Sequence, residues 1–395
     1  MCGEDDIRLG IEVRDPKVGS SDLILSCMIA LLTAIMLSTS FGPAIVKPLL
    51  LDGSLARNGR YVFVYDAYDT VGGDGVQSVV GIGSSIMLAA MNGTCMQEES
   101  NVEKVRFYNL AQSGGKPYSE MIQIPALIEA KPNVVILEIS PNGLFGWDEF
   151  NEPTDNSNYN QLRFQLMSME MSPQHIGDWY DILDQDDKDF IDFTIWGKSD
   201  AWRKYAPEVI EEHLRREITG VSLANYDDGS YLNVPGPDSE AWDDYLSEPN
   251  YHISRYEGKS LEFVQEDLDR RMPYMIEQGY YFPQSDGTQN HQALDYMIHE
   301  LLNASINVIL IGIPQHPWVN GYLETGQLDG LNNTFLKYEH LERVTILQMY
   351  WDDWPIDAFD DRLHMDGDGR TIFCERVTPI VDSILEKNTV HPISI

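Results

Sequence analysis

Of nine histidines, only His364 has a carboxylate three residues before it, in Asp361-Arg362-Leu363-His364. That spacing lets a carboxylate sit beside its own histidine within one turn and orient the imidazole, as a general base for nucleophilic catalysis requires. A serine for such a base occurs in Gly81-Ile82-Gly83-Ser84-Ser85-Ile86, where an aliphatic run passes straight into a helical pattern. A serine on a strand-to-helix turn presents its hydroxyl beside the amides of a helix amino terminus, which favour a developing oxyanion. On this fragment alone, both serines serve equally well as helix caps. Two further stretches offer oxyanion donors: Asn109-Leu110-Ala111-Gln112-Ser113-Gly114-Gly115 and Glu138-Ile139-Ser140-Pro141-Asn142-Gly143. They supply a glycine amide and an asparagine amide, the donor types a tetrahedral intermediate needs.

These residues need a scaffold that brings their segments to one edge. Five short aliphatic runs, Val76–Ile82, Val105–Leu110, Asn133–Ile139, Ile306–Ile313 and Val344–Met349, have the character of buried parallel strands. Helical patterns at Ser85–Met96, Tyr118–Ala130, Gln289–Asn303 and Asp368–Leu385 alternate with them. The alternation predicts a doubly wound α/β sheet, and active-site groups of such sheets lie at the carboxyl ends of the strands. The candidate serine, glycine, asparagine and Asp-x-x-His blocks all follow such ends. A strand-like run at Tyr61–Tyr65 lies within a lead-in, residues 47–75. Between the third and fourth strands, residues 145–284 are too long for a structureless loop and read as an inserted, mainly helical lid, with helices at Ala206–Arg216 and Ser260–Arg271. Its acidic run Asp184–Asp192 lacks the glycine turn and terminal glutamate of an EF-hand loop and reads as a solvated helix face.

The charge balance is lopsided, with 27 basic against 63 acidic residues and a net charge of −36. Such a surface repels nucleic acid and anionic headgroups, which argues against a phosphate-backbone partner, and it suits a salt-adapted setting. Near the amino terminus, after a tail of residues 1–22, the uncharged run Leu23–Val46 is 24 residues long. About 20 such residues span the ~30 Å core of a bilayer, so the run is expected to be an uncleaved transmembrane signal anchor. Basic residues on its two sides tie and set no orientation. None of the four cysteines forms a CxxC pair, which excludes a zinc knuckle or a thioredoxin-type motif. Gly81-x-Gly83 after a strand also suggests a dinucleotide fingerprint, but the third small residue and the acidic residue closing the second strand are missing.

Taken in order, the blocks resemble the SGNH hydrolase superfamily, which is named for its Ser, Gly, Asn and His blocks. Gly83-Ser84-Ser85 stands where that family usually has Gly-Asp-Ser, Gly114 falls in its Asn-x-x-x-x-Gly loop, and Asn142 in its third block. Asp361 and His364 match its Asp-x-x-His. The resemblance covers residues 76–144 and 285–386, so the hydrolase-like domain is expected over 76–144 and 285–395. It implies a three-layer α/β/α flavodoxin-like fold with a five-stranded parallel sheet. It also implies a Ser85–His364–Asp361 triad, with the Ser85 amide, the Gly114 amide and the Asn142 side chain as oxyanion donors. Ser84 replaces the usual Asp, and Ser140, Pro141 and Gly143 fill the other third-block positions. The Gly-Ser-Ser form is similar to membrane-anchored relatives acting on cell-envelope polymers, including the DltD-like group.

The expected activity is therefore that of a serine esterase acting on an O-acyl ester, such as an acetyl ester, of a cell-surface glycan or lipid. It would proceed through an acyl-enzyme and require no cofactor or metal. The alternatives are an envelope O-acyltransferase of the same fold and a non-catalytic glycan-binding surface protein, the latter motivated by the substituted third block. In such a sheet the helices carrying Cys95 and Cys374 are neighbours, so a disulfide between them is feasible and would suit an extracytoplasmic domain.

Overall fold

A computed structural model describes residues 20–37, 67–72, 75–144, 178–185, 187–188, 240–249, 251, 255–277, 281 and 288–390. The aliphatic runs form β1 (Gln77–Ile82), β2 (Val105–Asn109), β3 (Val134–Glu138), β4 (Asn307–Gly312) and β5 (Val344–Gln348). All neighbours pair in parallel, in the order β2-β1-β3-β4-β5. The order reverses between β1 and β3, the switch point of a doubly wound sheet.

Alternation of side chains along each strand divides the core in two. On one face Val79, Phe107, Ile136 and Ile309 pack with Met87, Met96, Phe373 and Val377. On the other, Val80, Tyr108, Val135 and Leu310 pack with Leu127, Leu294, Leu301 and Phe335. Helices thus cover both faces, which is why the strands read as nearly continuous apolar runs. Each fully buried Leu, Ile or Phe contributes about 1.5–3 kcal/mol relative to exposure.

The helices are α1 (Ser20–Leu37), α2 (Ser85–Ala90), α3 (Gly93–Glu99), α4 (Ile124–Ala130), α5 (Leu261–Glu277), α6 (Gln289–Asn303), α7 (Asp329–Tyr338) and α8 (Gly367–Val390). Two expected helices are broken. The pattern Ser85–Met96 divides into α2 and α3, because groups distant in sequence take up the last carbonyls of α2. The buried Asn109 side chain donates to the carbonyls of Met87, Leu88 and Met91. Arg370 donates to those of Leu88 and Ala89, and Asn92 then caps the amide of Cys95 to restart the helix. The pattern Tyr118–Ala130 becomes a short helix Pro117–Glu120, a 3-10 turn Met121–Gln123 and α4. Pro125 has no N–H with which to continue the ladder.

Cys95 on α3 and Cys374 on α8 are joined in a disulfide with a Cα separation of 6.2 Å. Helix α1 covers 18 residues and begins three residues before the expected span; the remainder of that span, 38–46, lies outside the described residues. Among the described residues, no helix is long and apolar enough to cross a membrane. The expected strand Tyr61–Tyr65 and helix Ala206–Arg216 also lie outside the described residues. Within the insertion the described elements are the helices Trp179–Ile182 and Trp242–Ser247 together with α5.

Candidate functional site

The chain from β1 enters α2 through Gly83-Ser84, and the two serines divide the work. Ser84, with extended backbone at φ −83°, is the N-cap, its Oγ accepting the Ile86 amide at 3.1 Å. Ser85 is therefore released from capping, and its hydroxyl lies 2.8 Å from Nε2 of His364. The capping reading holds for one serine of the two.

His364 and Asp361 occupy a loop after β5 that is closed at its base. Phe359 and Met365 form an antiparallel bridge, and the Asp360 amide donates to the His364 carbonyl at 2.8 Å. Segments from elsewhere hold this loop in place: the Tyr256 amide donates to Asp360 O, and the His316 amide to Arg362 O. Inside it, Asp361 Oδ1 accepts the amides of Leu363 at 2.7 Å and His364 at 2.9 Å. The same oxygen lies 2.9 Å from His364 Nδ1.

Burial alone would raise the Asp361 pKa, but the His364 charge, its hydrogen bond, Arg362 and the Leu363 amide outweigh it and hold the carboxyl well below its usual range. An ionised Asp361 only accepts, so the proton between the two belongs to Nδ1, and Nε2 is left to accept the Ser85 hydroxyl. His316, close to Asp361, is pushed down to about 4 by burial against the pull of that carboxylate. It is thus neutral at ordinary pH and does not compete with His364 for the Asp361 charge. The Tyr251 ring, from the insertion, tilts over His364 at a centroid distance of 5.8 Å.

Of the expected oxyanion donors, Gly114 lies in the turn after β2. Its φ of +75° is left-handed backbone suited to glycine. The turn is tied to the Gly83–Ser85 segment, since the Gln112 amide donates to Gly83 O at 2.8 Å and the Gly115 amide to Gln112 O at 2.9 Å. Asn142 sits in the short helix Pro141–Leu144 directly after β3; its side chain is not among the described ones. Ser140 precedes that helix, and its hydroxyl accepts the Gly143 amide at 3.2 Å.

One participant escaped the sequence reading. Glu138, the last residue of β3, is 6% exposed and accepts the Ser84 amide at 2.6 Å through Oε2. The available signal was a carboxylate closing an otherwise aliphatic strand. Burial pushes its pKa up, while hydrogen bonds from Ser84 and Ser140 and the charge of His364 pull it back.

A cavity of about 1010 Å³ lies at the opposite, amino edge of the sheet, lined by Lys131, Asn133, Asn307 and Arg343 among others. Ser85 is not among its lining residues. Among the described residues, no cluster of three or more His, Cys, Asp or Glu side chains is arranged to hold a metal ion. No protein-family model and no curated protein matches the chain.

Chemically, the arrangement can pass one proton. Attack by Ser85 Oγ on a carbonyl carbon releases the hydroxyl proton to His364 Nε2, the resulting imidazolium is paired with Asp361, and the proton is returned to a leaving alcohol.

Proposed function

We propose that this chain is a serine esterase of the SGNH type, acting on an O-acyl ester of a cell-surface glycan or lipid through an acyl-enzyme on Ser85. The observation that carries the reading is the hydrogen-bonded relay Ser85–His364–Asp361, with Ser85 2.8 Å from His364 across 279 positions of sequence and His364 2.9 Å from Asp361, three positions away. A hydroxyl in line with a histidine whose other nitrogen faces a buried carboxylate is the arrangement of an activated nucleophile. Its place at the carboxyl ends of β1 and β5, near the β1/β3 switch point, is where ligands of open α/β sheets bind. In this proposal the Ser85 and Gly114 amides and the Asn142 side chain hold the oxyanion. The second half-reaction passes the acyl group to water or, in a transferase, to another hydroxyl. Residues 23–46 anchor the protein in a membrane; the exposure of Leu23, Ile24, Leu25, Ile29, Leu31 and Leu32 on α1 supports that part.

The test is fluorophosphonate labelling of the full-length chain beside its Ser85→Ala and His364→Ala variants. Labelling of the parent that both substitutions abolish is the expected result. A folded parent that does not label, or a Ser85→Ala variant that labels equally, would overturn the reading in favour of a non-catalytic binding protein.

A further inference from the structure

Two buried carboxylates lie beneath the nucleophile turn, and the proton relay uses neither. Glu138 closes β3 and Glu120 closes the helix Pro117–Glu120; they are 6% and 3% exposed. They approach the turn from different sides. A Cβ built on Gly83 would lie 2.7 Å from Glu138 Oε2. One built on Gly115 would lie 2.2 Å from Glu120 Oε1 and 2.7 Å from Gly83 O. Two carboxylates sharing one buried site cannot both ionise cheaply, so one retains a proton.

Their surroundings decide which. Glu138 Oε2 has the Ser84 amide at 2.6 Å, with the Ser84 and Ser140 side chains and the His364 charge also favouring its ionised form. Glu120 Oε1 is buried without a hydrogen-bond partner. Burial, then the charge of Glu138, raise the Glu120 carboxyl well above its usual range. Other ionisable groups near the pair, among the described residues, include Tyr68 facing Glu120, Tyr350 facing Glu138, His364 with Asp361 and Arg362 behind it, and buried Lys116, the N-cap of the helix that Glu120 closes. Burial raises both phenols and the carboxyl group that each faces adds to it, so they stay neutral.

We propose that Glu138 is a positioning residue for the acyl-transfer site: as the ionised member of the pair it clamps the Ser84 amide and steadies the His364 imidazolium, while Glu120 keeps the proton. The inference rests on the esterase reading. No proton moves on or off the pair during the reaction; the Ser85 proton goes to His364 Nε2 and from there to the leaving alcohol. Glu138 contributes a fixed charge and a fixed acceptor, so the turn that aims Ser85 is held before substrate arrives.

The experiment follows fluorophosphonate inactivation of the full-length chain against pH, together with the infrared carboxylic C=O band at neutral pH. Glu138→Gln keeps an acceptor but removes the charge. It is expected to move the acid limb about one pH unit lower, because imidazolium forms less readily without a neighbouring anion, and to slow inactivation roughly tenfold. Glu138→Asp restores the charge with a shorter reach, and is expected to restore the position of the limb while remaining slow. Glu120→Gln replaces a neutral group by a neutral isostere, so it keeps the parent limb and removes the infrared band. Glu138→Gln with the parent rate and limb would overturn the proposal, as would an infrared band that survives Glu120→Gln. If the infrared band assigns the proton to Glu120 and yet the parent does not react, the esterase reading has failed, and the role given to Glu138 falls with it.

Discussion

Replacing Gly83 with alanine probes how closely the nucleophile turn is fitted against β3. An ideal Cβ at this position would lie 2.5 Å from Glu138 Cβ, 2.7 Å from Glu138 Oε2 and 3.0 Å from Met87 Cβ. Carbon atoms rest comfortably at about 3.5–4.0 Å, so one wall must yield by about 1 Å. Neither Cβ can rotate away, since each is fixed to its backbone, and Oε2 is already engaged by the Ser84 amide. β3 is paired along both edges, by β1 and β4, so the turn carrying Ser85 is expected to be the side that gives. Overpacking of this kind costs about 1–3 kcal/mol, and displacing a nucleophile by about 1 Å costs on the order of 10² in rate. The assay is the second-order rate of fluorophosphonate labelling, paired with a thermal melt. Gly321→Ala serves as control, because a Cβ there meets nothing within 4 Å, and its stability should stay within about 0.5 kcal/mol of the parent. A Gly83→Ala variant that labels within twofold or so of the parent would refute the claim that close approach to Glu138 sets the position of Ser85.

Three further outcomes are expected. Asp361→Asn should lower the labelling rate by about 10³–10⁴, because the imidazolium loses its counter-charge while the fold persists; a loss below tenfold would remove Asp361 from the relay. Changing Cys95 and Cys374 together to serine opens a link between residues 279 apart, and should cost about 2–5 kcal/mol in urea unfolding; an unchanged midpoint with and without reductant would contradict it. The third concerns pH. Because the folded pKa of Glu120 is raised, its contribution to stability is complete below the unfolded value of about 4.3 and is lost as pH rises toward the folded one. Glu120→Gln has no such loss, so its stability relative to the parent should climb by about 1.4 kcal/mol per pH unit above roughly pH 4.5. Urea unfolding over a pH series measures this difference, and a flat one would mean that Glu120 is ionised in the folded chain.

Much of the fold was legible because its signals are local. The strands match the aliphatic runs to within one residue at each end, since a strand buried on both faces leaves no room for polar side chains. Helix α6, with Thr288 as its cap, falls where its periodicity put it. Helix α7 went unread because Gly330, Asn332, Asn333 and Thr334 are weak helix formers; packing of Leu331, Phe335 and Tyr338 under the sheet makes it a helix. The Asp-x-x-His register was local too, and its carboxylate and imidazole meet within one turn.

What residue type and local pattern could not decide were the contacts that choose between like groups or interrupt an element. Ser84 and Ser85 are chemically alike. By residue type nothing separates them, and the family resemblance alone pointed to Ser85; the physical difference comes from the pairing of β1 with β3, which brings Glu138 under the Ser84 amide, and the return of the loop after β5, which brings His364 to Ser85. The break between α2 and α3 depends on Asn109 and Arg370, and the protonation of the Glu120–Glu138 pair on burial that no local pattern reveals. Residue type and short-range periodicity determined the elements and the candidate groups. Long-range packing brought Ser85 rather than Ser84 to His364 and set the charges around them, because hydrogen-bond geometry and desolvation exist only once the segments have met.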